Sequence, residues 1–321
     1  MSKYLVTGGA GFIGSHLAET LVKRGEQVVV VDDLSTGRKD NLKPFADKIE
    51  FVQGDICDLK LMQEVCQGVD YVLHQAAIPS VPRSVKEPLK CNHAAVDGTL
   101  SVLLAARDAG VKRLVYASSS SVYGQTEILP KVEVMPNGPI SPYAVAKLAG
   151  ELYTKVFWHV YKLETVCLRY FNVFGPRQDP GSMYSGVIVK FIHALAAGNP
   201  PIVFGDGKQT RDFTYIANVV QANLRALETP DEAVLGKVFN VGTGAETEIA
   251  QLLELIAKKM GKSASPQYMD PRPDDIRSSL ADITLARRFL KYNPEISLEQ
   301  GVEETVKFYL EYENPSADTQ P

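Results

Sequence analysis

Six short apolar runs, separated by segments of helical periodicity, constrain the fold of the first half of the chain more than any other feature. They are residues 3–7, 28–32, 49–53, 70–74, 112–118 and 165–170. Because the runs are almost continuously apolar and rich in β-branched residues, we expect strands buried on both faces, as in a parallel sheet. Helices are predicted near 12–24, 58–67, 93–109 and 142–161. The alternation predicts an α/β fold with a doubly wound parallel sheet.

This alternation breaks after about residue 172, where Pro and Gly become frequent. Helical patterns continue near 186–198, 215–228, 247–260, 282–291 and 299–311. We therefore predict a first domain over residues 1–172 and a smaller mixed α/β lobe over residues 173–321, which closes over the carboxyl edge of the sheet. Segments near 211–216 and 238–242 are candidates to return to the first domain.

Composition argues against several classes of protein. The chain has 321 residues, 45% of them hydrophobic, which is enough to bury a large core. Its net charge of −4 argues against a nucleic-acid partner. The sequence shows neither a secretory signal nor an apolar stretch of membrane-spanning length. Its four cysteines are scattered, which is typical of buried thiols in a reducing compartment, so we expect a cytoplasmic protein without a membrane partner.

A glycine-rich turn follows the first predicted strand. Gly8, Gly11 and Gly14 are spaced three residues apart between that strand and a helix. This context predicts a dinucleotide site of the Rossmann type, in which backbone amides at a helix N-terminus face a pyrophosphate. Asp32, at the end of the second strand, is placed to accept the adenosine ribose hydroxyls and favours NAD, whereas Arg38 nearby leaves NADP open.

Further contacts with the dinucleotide are expected along the same edge of the sheet. Asp55 and Ile56, after the third strand, are placed to touch adenine, although Asp55 is also a typical turn residue. The predicted cofactor contacts in this part of the chain are Gly8, Gly11, Phe12, Ile13, Gly14, Asp32, Asp33, Asp55 and Ile56.

A tyrosine and a lysine one helical turn apart are the candidate catalytic pair. Tyr143 and Lys147 follow Ser141, a good helix N-cap, so they share one face of the predicted helix. Ser119 lies in a serine cluster at the end of the fifth strand. The ordinary pKa of tyrosine is about 10, so a base near neutral pH needs about 4 kcal/mol of preference for the phenolate. A lysine, a nicotinamide cation and a serine hydroxyl together favour that phenolate.

In combination, these motifs resemble the extended short-chain dehydrogenase/reductases, and among them the nucleotide-sugar 4-epimerases of the UDP-N-acetylglucosamine 4-epimerase group. The resemblance extends over essentially the whole chain. Further motifs that carry it are His74–Ala77, Ser80–Ser84, Arg169–Pro180, Gly205–Gly207, Arg211–Phe213 and Arg272–Asp275.

The resemblance implies a role for each matching residue. Tyr143 would be the base, Lys147 would bind the nicotinamide ribose, Ser119 would share the proton, and Ser120 would be an auxiliary hydroxyl. The cofactor would be NAD, with Gln75, Ala76 and Ala77 as additional contacts. The implied contacts with a UDP-sugar are Ser80, Val81, Arg83, Ser119, Asn172, Val187, Lys190, Arg211, Arg272, Asp275 and Ser279. No metal is implied, and a homodimer through helices 93–109 and 142–161 is expected.

One position departs from the pattern of the resembled family. Many relatives carry Asn three residues before the Gly of a Gly–Thr pair, whereas this chain has Ala95 there and Asn92 one turn earlier. The usual Asn contact near the cofactor would then come from Asn92 or from water.

The implied reaction is reversible epimerisation at C4 of a UDP-hexose through a 4-keto intermediate. UDP-glucuronate epimerases and decarboxylases are alternatives, although the epimerases tend to carry Thr at the position of Asn172. Sugar dehydratases place Asp–Glu where this chain has Ser120 and Ser121, so elimination lacks its acid and base. A non-catalytic NAD-sensing scaffold is a distant alternative, since both Tyr143 and Lys147 are present.

The size of residue 279 bears on the choice of sugar. Relatives restricted to UDP-glucose and UDP-galactose carry a large residue such as Tyr there, which closes the space for a C2 acetamido group. Ser279 leaves that space open, and Ser80 and Ser84 offer hydroxyls to the amide. We therefore expect UDP-GlcNAc and UDP-GalNAc to be accepted in addition to UDP-glucose and UDP-galactose. The simpler interpretation, that Ser279 caps a turn, stays open.

Overall fold

The computed structural model describes residues 1–179, 186–271 and 276–313. Its strands are β1 (Lys3–Thr7), β2 (Gln27–Asp32), β3 (Glu50–Gln53), β4 (Tyr71–His74), β5 (Arg113–Ser119), β6 (Glu164–Tyr170), β7 (Val173–Phe174), β8 (Ile202–Phe204), β9 (Thr210–Arg211), β10 (Thr214–Tyr215), β11 (Lys237–Val241), β12 (Thr247–Glu248), β13 (Gln267–Met269) and β14 (Ser278–Ser279). Its α-helices are α1 (Phe12–Lys23), α2 (Leu59–Val65), α3 (Val81–Lys86), α4 (Pro88–Asn92), α5 (Gly98–Asp108), α6 (Pro142–Tyr161), α7 (Val187–Ala196), α8 (Ile216–Glu228), α9 (Ile249–Lys259) and α10 (Leu298–Glu313).

A seven-stranded parallel sheet in the order β11–β6–β5–β4–β1–β2–β3 forms the centre of the molecule. Helices α1 and α8 pack on one face, and α2, α5 and α6 pack on the other. The prediction of a doubly wound parallel sheet is confirmed. Its strands are apolar on both faces because each face is covered by helices. No helix in the described ranges is long and apolar enough to cross a bilayer.

The second half contributes to both parts of the molecule. β11 extends the sheet beside β6, and α8 packs against β5 and β6. The segment near 211–216 instead joins small sheets outside it, where β9 pairs with β12 and β14, and β10 pairs with β7. Helices α7, α9 and α10 enclose a separate apolar core. The division of the chain at residue 172 stays a prediction.

The segment before α5 differs from the single helix expected over 93–109. Residues His93–Asp97 form a π-helical turn, and the short helices α3 and α4 precede it. Pro82 and Pro88 lie in the first turns of α3 and α4, where a missing amide costs nothing. The hydroxyl of Thr99 donates to the carbonyl of Ala95 at 2.6 Å and also contacts the His74 ring at 3.0 Å. The π-turn therefore borders a buried polar cluster beneath the sheet edge.

Candidate active site

A cleft of about 910 Å³ lies at the carboxyl edge of the central sheet. This is the edge at which open parallel sheets bind their ligands. All of the cofactor contacts predicted from the sequence line it, namely Gly8, Gly11, Phe12, Ile13, Gly14, Asp32, Asp33, Asp55, Ile56, Gln75, Ala76, Ala77, Tyr143 and Lys147. The individual contacts of these residues with a cofactor stay predictions.

The glycine turn brings backbone to the cleft surface where a side chain would not fit. Gly8 has a φ of +67°, and a Cβ there would lie 2.7 Å from the backbone of Ala76. A Cβ on Gly14 would lie 2.2 Å from the carbonyl oxygen of Gly8. Gly11 lines the cleft at the first turn of α1. The turn thus presents the amino end of a helix directly to the cleft, as binding of a pyrophosphate requires.

Asp32 both lines the cleft and holds the turn in place. Its two carboxylate oxygens accept hydrogen bonds from the amides of Ala10 at 2.9 Å and Leu34 at 2.8 Å. Burial raises the pKa of this carboxyl above its usual value, although these hydrogen bonds oppose the rise. The acidic residue expected to bind ribose is therefore also a structural part of the nucleotide loop.

A segment from the second half closes the outer side of the cleft, and sequence reasoning did not assign its side chains. Arg177 pairs with Glu19 of α1 at 2.5 Å, and Asp179 pairs with Arg38 at 2.9 Å. Arg177, Gln178 and Asp179 all line the cleft. The only available signal was their place in the motif Arg169–Pro180, since contacts with such distant residues leave no periodic trace in a sequence.

The start of α6 positions the candidate base. Ser141 caps the helix, its hydroxyl accepting a hydrogen bond from the amide of Ala144 at 3.2 Å. A second hydroxyl, that of Ser84 on α3, accepts from the amide of Tyr143 at 3.1 Å. The Nζ atom of Lys147 lies 6.0 Å from the centre of the Tyr143 ring and donates to the carbonyl of Ala117 at 2.7 Å. The expected pair thus lies at the cleft, fixed to β5.

Burial changes the pKa of both Tyr143 and Lys147. It raises the pKa of Tyr143 to about 12, and a hydrogen bond with the Ser119 hydroxyl opposes the rise. It lowers the pKa of Lys147 to about 8. A buried phenol becomes a base near neutral pH only if positive charge is close to it. Lys147 supplies such a charge while it is protonated.

Some of the other predicted site residues line the cleft and others do not. Ser119 ends β5, and its hydroxyl accepts a hydrogen bond from the amide of Ser121 at 3.2 Å. Ser80, Arg83 and Ser118 line the described part of the cleft. Val81, Ser119 and Ser120 do not line it. Ser119 is therefore connected to the cleft through Tyr143.

Two expectations at this site need correction. Ser84 is fully buried, and its hydroxyl donates to the carbonyl of Val81 and accepts from the amide of Tyr143. It is therefore not open to a substrate amide. Asn92 is exposed and is not among the described cleft-lining residues, so it does not replace the usual Asn. Ala95 is buried and packs with Cys91 and Tyr143 instead.

A second cavity, of about 260 Å³, adjoins the first and has cationic residues in its wall. Gln178 lines both cavities. Four predicted substrate residues line the smaller one, namely Asn172, Val187, Lys190 and Arg211. Ser279 of β14 pairs in register with Arg211 of β9 and is almost fully buried. Arg272 and Asp275 lie outside the described residues.

The comparison with protein families decides the assignment. Residues 4–242 match the model of the NAD dependent epimerase/dehydratase family, and they make up most of the chain. The chain belongs to this family. The predicted resemblance to extended short-chain dehydrogenase/reductases, and the prediction that the cofactor is NAD, are thereby confirmed.

Three family members that are similar over nearly their whole length carry different substrate names. A UDP-glucose 4-epimerase of Mycolicibacterium smegmatis is 42% identical over 309 residues, covering 95% of this chain and 97% of that protein. The structure of a Methanobrevibacter ruminantium UDP-N-acetylglucosamine 4-epimerase with UDP-N-acetylmuramic acid has 39% identity and a TM-score of 0.92, covering 97% and 99%. The structure of the Bacillus cereus UDP-glucuronic acid 4-epimerase with UDP-glucuronic acid and NAD has 33% identity and a TM-score of 0.89, also covering 97% and 99%.

The residues of this epimerase-family chain fit its dinucleotide. Within the larger cleft, the glycine turn leaves a surface that a Cβ on Gly8 or Gly14 would disrupt. The cleft continues from the buried carboxylate of Asp32 to the partly buried Tyr143 and the buried Lys147. These are the ends at which the sequence predicts the adenosine and the nicotinamide. Bound there, NAD would supply a reversible hydride acceptor and, in its oxidised form, the positive charge of the nicotinamide ring.

Proposed function

We propose that the chain is an NAD-dependent UDP-sugar 4-epimerase that interconverts UDP-GlcNAc and UDP-GalNAc and also accepts UDP-glucose and UDP-galactose. The observation that carries the proposal is the pair Tyr143 and Lys147, held at the dinucleotide cleft next to a second cavity with Lys190 and Arg211 in its wall. The three epimerases reported above support C4 epimerisation of a UDP-sugar, and the choice among the sugars rests on Ser279.

Tyr143 takes the proton of the C4 hydroxyl when the sugar is oxidised and returns it to the same oxygen when the ketone is reduced. Its phenolate is disfavoured by burial, which raises its pKa to about 12. The ammonium of Lys147 and the hydroxyl of Ser119 stabilise that phenolate, and Ser119 shares the moving proton. No net oxidation results, because the hydride removed from C4 returns to the other face.

The smaller cavity is suited to hold UDP while the sugar turns. Arg211 and Lys190 place positive charge in its wall, which an anionic diphosphate requires. The side-chain amide of Asn172 donates to the carbonyl of Asp212 at 3.2 Å, which fixes Asn172 in the wall of the smaller cavity. The nucleotide is thereby separated from the reacting carbon, so C4 can present either face to the nicotinamide.

The specificity for N-acetylated sugars is tested by Ser279→Tyr, with Ser278→Tyr as the matched control. Successive strand residues point to opposite faces, so the two tyrosines would lie on opposite faces of β14. Wild type is assayed by NMR on UDP-GlcNAc, UDP-glucose and UDP-glucuronate. We expect Ser279→Tyr to lose the UDP-GlcNAc reaction and keep the UDP-glucose reaction, since a steric block discriminates by exclusion.

Three outcomes would contradict this choice of substrate. Equal loss of both reactions in Ser279→Tyr would show general damage, and a wild type inactive on UDP-GlcNAc would favour the UDP-glucose-only enzyme. A wild type that converts only UDP-glucuronate would favour the glucuronate epimerase, which we place second because the resemblance associates Thr with the position of Asn172.

The predicted homodimer is also a proposal, and an apolar stripe on α6 supports it. Val145, Leu152, Val156 and Val160 are each about half exposed and lie on one face of the helix. Exposed apolar stripes of this kind are typical of subunit contacts. We expect wild type to elute as a dimer in size-exclusion chromatography with light scattering and Val156→Arg to elute as a monomer. A monomeric wild type would overturn the proposal.

A further inference from the structure

A buried ion pair joins α6, the helix that carries the candidate base, to β6. Glu151 of α6 and Arg169 of β6 are joined by two hydrogen bonds of 2.8 Å, and both side chains are almost fully buried, at 4% and 3% exposure. Within the described structure, neither residue lines the larger cleft or the smaller cavity. Two charges in an apolar interior are costly unless geometry compensates them, so their place beside the catalytic pair calls for an explanation.

The ion pair is connected to the end of β5, where the serine cluster begins. The hydroxyl of Ser118 donates to Glu151 Oε1 at 2.5 Å. Three successive residues of β5 are therefore linked to α6: Ala117 through Lys147, Ser118 through Glu151, and Ser119 through Tyr143. Because the links join a rigid strand to a rigid helix, the middle one helps to fix the geometry of the other two.

Arg169 extends the connection to the segments that flank the site. Its Nη2 atom also donates to the side-chain oxygen of Asn137 at 2.9 Å, in the loop that leads to α6. Its guanidinium lies 4.6 Å from the centre of the Tyr123 ring, at the end of the serine cluster. Arg169 thus contacts the segment that precedes Tyr143 and the segment that follows Ser119, and it does not line the described cleft.

Glu151 also bears on the charge of Lys147. Burial lowers the pKa of Lys147, and Cys91 and Glu151 oppose this shift. Glu151 lies one helical turn from Lys147, so its carboxylate favours the protonated lysine. The titratable groups that face Lys147 from each packed element are Tyr143 and Glu151 on α6, Tyr116 on β5, Cys91 on α4 and His74 on β4. Among these, Glu151 is the carboxylate.

We propose that the Glu151–Arg169 ion pair is a positioning element of the epimerase, which acts through Ser118 and Lys147 to hold Ser119 and the lysine ammonium against Tyr143. The proposal rests on the function proposed above, because it takes Tyr143 as the base. It assigns neither member of the pair any contact with substrate or cofactor.

The test is Glu151→Gln, which removes the charge with little change of volume. The matched control is Glu164→Gln, which breaks the Arg113–Glu164 pair between β5 and β6 at the start of these strands, whereas Arg169 lies near the end of β6. We expect Glu151→Gln to lower kcat at least about tenfold, with bound NAD and KM close to wild type. The alkaline limb of its kcat–pH profile should move to lower pH, because Lys147 loses its proton more readily without the neighbouring carboxylate. Glu164→Gln should keep the wild-type profile.

A folded Glu151→Gln with the rate and pH profile of wild type would overturn the proposal, and so would the same profile shift in Glu164→Gln. If the single variant does not fold, the double variant Glu151→Leu, Arg169→Met leaves no unpaired charge and takes its place. Wild-type kinetics in that folded double variant would equally overturn the proposal. Tyr143→Phe in the same assay distinguishes a failure of the proposed function from a failure of the positioning proposal. If Tyr143→Phe stays active, the assigned base is wrong, whatever Glu151→Gln does.

Discussion

The dinucleotide cleft and the smaller cavity beside it are built by different means. The cleft is shaped by backbone, since its glycine turn presents main-chain atoms and a Cβ on Gly8 or Gly14 would collide with other backbone atoms. The smaller cavity is shaped by side chains from separate segments, among them Asn172, Lys190 and Arg211. Binding in the cleft should therefore weaken when the backbone is altered. Binding in the smaller cavity should weaken when a single side chain loses its charge.

The two cavities are also the proposed sites of two different binding tasks. Gln178 lines both cavities, whereas Tyr143 lines the cleft and Arg211 the smaller cavity. An enzyme that removes and returns the same hydride must keep its dinucleotide while its sugar turns and leaves. A backbone-built site for the retained group and a side-chain-built site for the exchanged one meet those two requirements.

The largest effect should come from the proposed base, which lines the dinucleotide cleft. Tyr143→Phe removes the proton acceptor with little change of volume, so kcat should fall by about 10²–10⁴-fold, as general acid–base groups typically contribute. NAD should remain bound, as measured by mass spectrometry after denaturation of the purified protein. A variant that keeps more than about a tenth of the wild-type rate would show that another group is the base.

Arg211→Met should affect the side-chain-built cavity alone. The loss of a charge-assisted contact of about 1.5–3 kcal/mol predicts a KM for the UDP-sugar raised by about 10–100-fold. NAD content and kcat should stay near wild type, because Arg211 lines only the smaller of the two cavities among the described residues. Steady-state rates measured over a range of UDP-sugar concentrations up to saturation give KM and kcat separately and check this. A fall in kcat with unchanged KM would place Arg211 in the chemistry and not in binding.

Gly14→Ala is the matching change in the backbone-built cleft. The added Cβ would lie 2.2 Å from the Gly8 carbonyl oxygen, so the turn has to shift, and NAD binding should weaken at least about tenfold. Gly25→Ala is the control, since it lies at the far end of α1 with nothing within 4 Å of the added Cβ. Its positive φ makes that change a stability effect only. Equal NAD content in the two variants would refute the backbone account.

The sequence could predict the cleft better than its surroundings for a physical reason. The requirement for glycine at positions 8, 11 and 14 is local, because it follows from a turn between one strand and one helix. The contact of Arg177 with Glu19 joins residues 158 positions apart, and that of Glu151 with Arg169 joins a helix to the strand after it, 18 positions away. Hydrophobic periodicity shows which face of an element is buried but not which partner lies opposite, so these ion pairs could be found only in the folded structure.

The smallest expected effect concerns the choice between NAD and NADP. Asp32 is buried at the cleft, and a 2′-phosphate there would meet its negative charge, so Asp32→Asn should reduce the preference for NAD about tenfold, or about 1.4 kcal/mol. The change also disturbs the turn, because the two carboxylate oxygens accept from Ala10 and Leu34 and an amide offers only one acceptor.

NAD and NADP depend on that same turn, so its disturbance should weaken both and cancel in the ratio of their affinities. Isothermal titration of NAD-free protein with each cofactor measures this ratio. Asp33→Asn is the control: this neighbouring carboxylate is exposed, and its charge is screened by solvent. Its variant should change the ratio less than Asp32→Asn does. If the two variants shift it equally, or if wild type is purified with NADP bound, Asp32 is not the discriminating group. Arg38, which lines the same cleft and pairs with Asp179, would then be the residue that decides.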